Sequence, residues 1–287
     1  MERPASLKEP MDMPDPHFPI KVHRIHCSRS GASLFPPHWH EHMEFLFFQR
    51  GEASISCSSS AIPVKAGDLI VVNSNELHSG VSLSDDLLYY AVIADISLLY
   101  SQSADAVQTK FMAPITQNRL LFRSKIESDE AVQSCMRSLI EEMERREFGY
   151  ELSIKSCLYR LLAILVRGHV ANVLTAHDYE ARTAGLERLS PVLAYIETHY
   201  GEPLSVDLLA RQTGLSRYHF SRLFKQLTGR TIMEYVNLTR INKAEALLLG
   251  TALTVSEIAA ATGFNDLYYF SKTFKKYKNV PPSELRK

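Results

Sequence analysis

The sequence AAATGFNDLYYFSKTFK at residues 259–275 repeats, with one inserted residue, the sequence ARQTGLSRYHFSRLFK at residues 210–225. In both copies an alanine precedes a Thr-Gly pair, and a Phe-Ser-basic-x-Phe-Lys block ends the motif. Internal self-similarity is the sequence signature of a supersecondary unit that is used more than once. The C-terminal third of the chain is therefore predicted to contain two copies of one helical unit.

Each copy carries the local signals of two helices joined by a sharp turn. Gly214 and Gly263 stand where the chain must turn after a short helix, and glycine adopts a positive φ there without strain. Ser216 and Asn265 are expected to cap the second helix. Two phenylalanines four residues apart lie on one side of that helix and are expected to face the core of the domain. The residues on the other side are hydroxyl-bearing, aromatic or basic. The pattern predicts two helix-turn-helix units; the alternative is a pair of packed helical hairpins with solvated basic faces.

A continuous helical pattern over residues 232–249 joins the two copies and ends at Gly250. About 18 residues at ~1.5 Å each span ~27 Å. This length is close to the ~34 Å between successive major-groove faces on one side of a duplex. We therefore expect a rigid helix that presents both units to neighbouring segments of the groove.

The charge is unevenly distributed although the whole chain is formally neutral. Residues 188–287 carry 14 Lys and Arg against 8 Asp and Glu, a net charge of +6, and the remaining residues carry 18 against 24, a net charge of −6. This asymmetry favours one basic domain that binds a polyanion and one acidic domain with another role.

The composition predicts a cytoplasmic protein without a membrane partner. Residues 1–16 are polar and broken by prolines, unlike a signal peptide. The most apolar segment, residues 158–166, is short and interrupted by Arg160, so no membrane span is expected. The four cysteines include no CxxC pair, which indicates reduced thiols rather than disulfides.

Upstream of the repeat, the pattern predicts a β-rich domain followed by helices, and hence an α+β fold class. Short apolar runs such as residues 44–48 and 88–93 alternate with turn clusters, which is typical of an antiparallel sandwich or barrel. From residue 129 the apolar spacing becomes helical, and the two amphipathic helices either pack only on their own barrel or form a dimer interface. The expected boundaries are 17–128 for the β-rich domain, 129–170 for connector or dimerisation helices, 171–188 for a linker and 189–287 for the repeat domain.

Through the residues of the repeat, the segment 189–287 resembles the AraC-type family of transcription regulators. The second copy continues into YKNVPPSELR at residues 277–286, and it resembles the family signature almost throughout. The resemblance implies that residues 216–227 and 266–277 are the recognition helices of a domain that binds double-stranded promoter DNA. It also implies a small-molecule effector, a role as an activator that contacts RNA polymerase, and a homodimer.

The resemblance further implies which side chains reach DNA. Base-facing positions fall on one side of each recognition helix, whereas the more peripheral cations suit phosphates. The base-facing set is Tyr218, Ser221 and Arg222 in the first helix and Leu267, Tyr268, Ser271 and Lys272 in the second. The phosphate set is Lys225, Arg230, Lys275 and Lys276. Arg217 and Asn265, at the starts of the two helices, complete the expected DNA-binding surface.

The N-terminal domain contains the segment HWHEHME at residues 38–44, followed by a further histidine at His78. This arrangement resembles the cupin barrel pattern, although Asn73 and Asn75 stand where cupin enzymes usually have proline and glycine. Alternate residues of a strand share a face, so His38 and His40 are expected to point into the barrel with Glu44, and Trp39 and His42 outward. Three histidines and one glutamate suit Fe, Mn, Zn or Ni.

Three interpretations of His38, His40, Glu44 and His78 remain open. They line an effector pocket, they bind a divalent metal, or the histidines are purely structural. No cofactor is expected to be required. The leading hypothesis is a non-enzymatic, DNA-binding transcription regulator controlled by an effector in a cupin-like barrel. The alternative is a metal-dependent cupin enzyme that is tethered to nucleic acid.

Overall fold

The structure is a computed structural model that describes residues 8–9, 12–57, 60–101, 105–228, 230–278 and 280–285. Asn279 and Arg286 of the signature therefore lie outside the described residues. The chain divides into a unit formed by Lys8–Cys57 and Ala61–Thr183 and a second unit formed chiefly by Ala184–Lys287. The boundary between Thr183 and Ala184 falls inside the segment 171–188, which was predicted to be a linker and which contains a short strand and the start of a helix.

In the described residues, the first unit contains two large antiparallel sheets and one two-stranded sheet, and the short strands separated by turns had predicted such an antiparallel arrangement. A five-stranded sheet has the order β1-β8-β3-β6-β10, and a four-stranded sheet has the order β2-β7-β4-β5. The strands are β1 (Ile20–Cys27), β2 (Ser33–His38), β3 (Met43–Arg50), β4 (Glu52–Cys57), β5 (Ser60–Lys65), β6 (Leu69–Val72), β7 (His78–Ser82), β8 (Leu87–Ala94), β9 (Leu120–Phe122), β10 (Lys125–Ile126) and β11 (Val170–Val173), of which β11 pairs with β9.

Strand β3 lies in the middle of this unit and is buried on both of its faces. Leu46 and Phe48 belong to the core between the two sheets, whereas Phe45 and Phe47 belong to a second core on the opposite face. Because successive side chains of a strand point to opposite faces, a strand with a core on each side has a continuous apolar sequence. Glu44 shares the inner face with Leu46 and Phe48, which places a carboxylate at one end of the inter-sheet core.

Two helices cover the outer face of the five-stranded sheet. Helix α2 (Glu130–Arg145) begins at Asp129, whose carboxylate accepts hydrogen bonds from the backbone N–H groups of the first turn, and α3 (Tyr150–Gly168) follows Gly149. Their apolar stripes pack into the second core with Phe45 and Phe47. A four-residue helix, α1 (Ala113–Thr116), precedes them. The helices thus pack on their own barrel, and the packing leaves apolar side chains of α3 exposed.

The second unit is entirely helical. Its helices are α4 (Ala176–His199), α5 (Val206–Thr213), α6 (Arg217–Thr228), α7 (Ile232–Gly250), α8 (Val255–Ala261), α9 (Leu267–Lys278) and α10 (Pro282–Leu285). The long connecting helix α7 appears where the sequence predicted it, and Thr231 and Glu234 form a reciprocal capping box at its start. Ile241 and Leu248 of α7 share a core with Phe270 and Phe274 of α9. A search of the described helices found none with the length and hydropathy needed to cross a membrane.

Candidate DNA-binding surface and histidine cluster

The two helix-turn-helix units turn at the predicted glycines. Gly214 ends α5 with φ = 66°, and Gly263 follows α8 with φ = 82°. The threonine before each glycine satisfies a carbonyl at the end of the first helix: the hydroxyl of Thr213 donates to Ala210 O at 2.8 Å, and that of Thr262 donates to Ile258 O at 2.7 Å. The Thr-Gly pair therefore ends the first helix of each unit by the same local chemistry.

The second helix of each unit starts at a side-chain cap, but the cap in the second unit is not the predicted residue. Ser216 Oγ accepts from the backbone N–H of His219 at 3.4 Å, as expected. In the second unit Asp266 Oδ1 accepts from Tyr269 N at 2.5 Å, so the prediction for Asn265 was wrong. A cap is fixed relative to the helix that it begins. The inserted residue therefore lengthens the turn before the cap and shifts the capping role to Asp266.

The inward faces of α6 and α9 are buried, and their outward faces are open to solvent. Phe220, Phe224, Phe270 and Phe274 have no exposed surface, whereas Tyr218 is 71% and Tyr268 77% exposed. The other expected DNA-contacting residues are exposed or half-buried, namely Arg217, Ser221, Arg222, Lys225, Arg230, Asn265, Leu267, Ser271, Lys272, Lys275 and Lys276. Arg217 also forms an ion pair with Asp207, at 3.2 Å, which fixes its position beside α5.

Sequence reasoning missed Tyr269, which lies between the two faces of α9. Its hydroxyl accepts a hydrogen bond from Asn237 Nδ2 at 2.9 Å, and half of its side chain is exposed. The contact joins the start of α9 to α7, and it therefore helps to orient the outward face of α9. The sequence offered only a run of aromatic residues before Phe270 as a signal, and nothing in it pointed to Asn237.

In the other unit, the structure brings together His38, His40, Glu44 and His78. One ligand atom from each residue lies within 4.8 Å of the others. His40, Glu44 and His78 are buried, and His38 is half-buried. The residues come from the end of β2, the loop after it, the start of β3 and the start of β7. Strand pairing accounts for part of this convergence, because β2 and β7 align His38 directly with His78.

The three histidine rings are oriented by backbone carbonyls. The Nδ1 atoms of His38, His40 and His78 lie 2.8, 3.0 and 2.8 Å from the carbonyl oxygens of Pro36, His42 and Glu76. A carbonyl oxygen only accepts hydrogen bonds, so each Nδ1 must carry the proton. In the neutral rings, the lone pairs are then on the Nε2 atoms, of which those of His40 and His78 lie beside Glu44 and that of His38 lies beside Glu9.

Glu44 lies at the centre of the cluster. Its Oε2 is 3.2 Å from His40 Nε2 and 2.9 Å from His78 Nε2. Burial raises the pKa of the Glu44 carboxyl, but its contacts with His40 and His78 outweigh this effect and hold the pKa far below its usual range. Burial lowers the pKa of His78, and the neighbouring Glu44 carboxylate more than compensates, so that the pKa is raised. The carboxylate is therefore ionised at neutral pH.

Asn73 holds the turn that leads to His78. Its side-chain amide donates to Phe122 O at 3.1 Å and to Glu76 Oε2 at 3.0 Å, and its oxygen accepts from Phe122 N at 2.8 Å. Asn75 has φ = 56°, in the left-handed region that glycine or asparagine adopts most readily. The two asparagines that depart from the cupin enzyme pattern thus build a defined turn at the edge of the cluster.

The segment before β1 contributes a residue that the sequence did not reveal. Glu9 Oε2 lies 3.0 Å from His38 Nε2, and Glu9 N donates to Trp39 O at 2.9 Å. The ring of Trp39 is covered by Lys8 and is only 5% exposed, so the prediction that Trp39 faces outward was wrong. Because the contact depends on chain closure over 29 residues, no local sequence signal pointed to Glu9.

Comparison with known proteins identifies relatives of both units. A family model described as an AraC-like ligand binding domain matches residues 27–162, and one described as a helix-turn-helix domain matches residues 209–287. The uncharacterized HTH-type transcriptional regulator YdeC of Bacillus subtilis (strain 168) is 22% identical over 98% of this chain and 96% of its own. The HTH-type transcriptional activator RhaS of Enterobacter sp. (strain 638) is 26% identical over 95% and 94%. The crystal structure of ToxT from Vibrio cholerae strain SCE256 is 16% identical, covers 96% of both chains and has a TM-score of 0.42.

Proposed function

This chain belongs to the AraC family of transcription regulators, and we propose that it recognises promoter DNA through the outward faces of α6 and α9. The observation that carries the proposal is the duplication of one unit with the same buried phenylalanines and the same open, basic and aromatic face. The relatives of both domains are transcription regulators, and nothing among them supports the alternative of a tethered cupin enzyme. DNA as the partner also favours a cytoplasmic location.

The side chains divide into two groups by the contact each can make with DNA. Arg222 lies on the open face of α6 and can bind a guanine edge through two parallel hydrogen bonds. Lys275 and Lys276, near the end of α9, are point charges that suit phosphate oxygens. Leu267 and Tyr268 form no paired hydrogen bonds with a base, so we propose that α9 depends more on phosphates and on thymine methyl groups.

We propose that the regulator is an activator controlled by a small molecule. Relatives that match over nearly their full length include RhaS of Enterobacter sp. (strain 638), which is named a transcriptional activator. An activator of this kind would contact RNA polymerase. The effector is assigned to the β-rich domain, at the end of the inter-sheet core where His38, His40, Glu44 and His78 meet. Polar groups that converge at one end of an apolar barrel are suited to orient a bound molecule.

We further propose a homodimer formed through α3. Leu152 is 76% exposed, and Tyr159, two turns further along the same face, is 40% exposed. An open apolar pocket of about 340 Å³ adjoins this face and is lined by Phe111, Leu162 and Val166, among others. Large apolar side chains gathered on one helix face are typical of a surface that a partner covers. A second copy of the chain supplies a matching helix by two-fold symmetry.

Binding to DNA tests the proposed function directly. The purified chain is titrated into a labelled fragment from upstream of its own gene, and into the same bases in scrambled order, at salt concentrations from about 50 to 200 mM. We expect tighter binding to the natural fragment and a steep loss of affinity with salt, because phosphate contacts release counterions. Equal affinity for both fragments, with and without candidate effectors, would contradict sequence-specific regulation at that promoter.

A further inference from the structure

While the rings are neutral, the Nε2 atoms of the histidine cluster lie beside carboxylates with which they form no good hydrogen bond, because an imidazole lone pair and a carboxylate are both acceptors. His78 Nε2 is buried and, among the residues that the structure describes, has no hydrogen-bond partner of acceptable geometry, although Glu44 Oε2 is 2.9 Å away. Its Nδ1 proton is already committed to the carbonyl of Glu76. A buried polar atom without a partner costs about 1–3 kcal/mol, so native structures retain one mainly where a function or an unseen ligand explains it.

The same reasoning applies to His38 and His40. Each donates its Nδ1 proton to a backbone carbonyl, which leaves a lone pair on Nε2 in the neutral ring. The lone pairs of His40 and His78 then face the carboxylate of Glu44, and that of His38 faces the carboxylate of Glu9, so that electron pairs and negative charge repel one another. Protons can relieve this repulsion only by making buried imidazolium ions. A metal cation relieves it with all three rings neutral.

We infer that His38, His40, His78 and Glu44 bind one divalent transition-metal ion. The ligand atoms around an ion at ~2.1 Å lie about 3–4 Å apart, and the four atoms here are within 4.8 Å of one another without any ion. Small movements of the side chains therefore complete the site. The carbonyls of Pro36, His42 and Glu76 hold the rings by Nδ1, as the outer partners of metal-bound histidines do.

The ligand set selects the class of metal. Three imidazole nitrogens and one carboxylate suit Zn²⁺, Fe²⁺, Co²⁺ or Ni²⁺, whereas Ca²⁺ and Mg²⁺ prefer oxygen ligands alone. The site is open on the side of His38, where the half-exposed carboxylate of Glu9 lies 3.0 Å from Nε2. His38 is the least buried of the four ligands, so an ion would enter from this side. Metal binding at this cluster does not depend on whether the chain binds a promoter.

A titration with Co²⁺ tests the site, because the visible spectrum of Co²⁺ reports its ligands. The full-length chain is treated with a chelator, dialysed and titrated with Co²⁺, and Zn²⁺ is then added. We expect one equivalent of Co²⁺ with absorption bands of nitrogen and oxygen coordination, and displacement by Zn²⁺. His78→Asn and Glu44→Gln are expected to weaken binding by roughly 100-fold or more, because each replaces an imidazole or a carboxylate with a weaker amide ligand, and losing even an outer partner of a ligand costs about 10–100-fold. His38→Asn, at the half-buried edge, serves as the variant least expected to disturb folding.

The matched control is His26→Asn. His26 also lies on a strand beside a carboxylate, with Nε2 3.0 Å from Asp86 Oδ1, but the pair is exposed. This variant is expected to bind Co²⁺ as the unmodified chain does. Trp39, the single tryptophan, reports by its fluorescence whether each variant keeps the β-rich domain folded. A folded chain that binds no Co²⁺ stoichiometrically, or one whose His38→Asn and His78→Asn variants bind it unchanged, would overturn the inference.

Discussion

Gly263 packs so closely against Tyr200 that a Cβ atom on Gly263 would lie 2.8 Å from the Tyr200 carbonyl oxygen. The same atom would lie 2.9 Å from Gly201 O and 3.0 Å from the guanidinium carbon of Arg240. Arg240 itself donates to Tyr200 O at 2.7 Å and to Glu202 O at 2.8 Å. The turn of the second helix-turn-helix unit is thus pressed against the segment that follows α4. At Gly214, the equivalent position of the first unit, a Cβ would meet nothing within 4 Å.

Substituting the two turn glycines with alanine should therefore have unequal effects. Gly214→Ala should cost about 1 kcal/mol, because the only penalty is a positive φ for a residue with a Cβ. Gly263→Ala should cost a further ~1–3 kcal/mol, because the new methyl group also collides with fixed backbone atoms. Amide hydrogen exchange in α5–α6 and in α8–α9 measures the stability of each unit separately. Equal losses of unfolding free energy in the two variants would show that the contact between Gly263 and Tyr200 makes no measurable contribution to stability.

A buried ion pair joins the long helix α7 to α9. Lys278 Nζ lies 2.5 Å from Glu245 Oε2, and the two side chains are 2% and 7% exposed. Lys278→Met leaves a buried carboxylate without its main cation and should destabilise α7–α9 by about 3–5 kcal/mol. Replacing both residues, in Lys278→Met/Glu245→Leu, should restore much of that loss, because no charge then stays buried. Hydrogen exchange in α9 checks both variants, and an equally destabilised double variant would contradict this account.

The proposed division of DNA contacts predicts different phenotypes for Arg222→Ala and Lys276→Ala. Loss of Arg222 should cost about 1–3 kcal/mol at the preferred site and relax the sequence preference, because it removes a contact to a base edge. Loss of Lys276 should weaken binding to every sequence and reduce the salt slope by about one, because it removes a phosphate contact. Titrations against natural and scrambled fragments at several salt concentrations separate the two effects. Identical behaviour of the variants would contradict the division.

The proposed dimer predicts that a charge on α3 separates the subunits. Leu152→Glu should convert a dimer to a monomer at micromolar concentration, because it would bury a carboxylate in an apolar interface. Leu83→Glu is the matched control, since Leu83 is also an exposed leucine, at 42%, but lies outside α3. Sedimentation equilibrium measures the mass of each variant. An unmodified chain that is monomeric, or a Leu152→Glu variant that stays dimeric, would exclude this interface.

The local structure of the DNA-binding domain could be predicted from its sequence alone. Turn glycines, caps and the spacing of apolar residues act through interactions between residues a few positions apart, so Gly214, Gly263 and the phenylalanines of α6 and α9 could be interpreted without a fold. The cap of α9 is the exception: counting from Gly263, as in the first copy, predicts Asn265, whereas the cap is set by the first turn of the helix itself and is Asp266. Because of the inserted residue, the cap lies three residues after Gly263 but only two residues after Gly214.

The contacts that these residues make with distant parts of the chain could not be predicted from the sequence. Gly214 and Gly263 are equivalent in the repeat, but of the two only Gly263 is approached by the segment that follows α4. Lys278 takes the position at which the first copy has Thr228, and only the fold places Glu245 beside it. In the β-rich domain the sequence supplied three histidines and a glutamate, and strand pairing turned their Nε2 atoms toward one point and brought Glu9 to His38. Such contacts depend on how segments that are far apart in the sequence pack together, and short-range sequence patterns do not encode that packing.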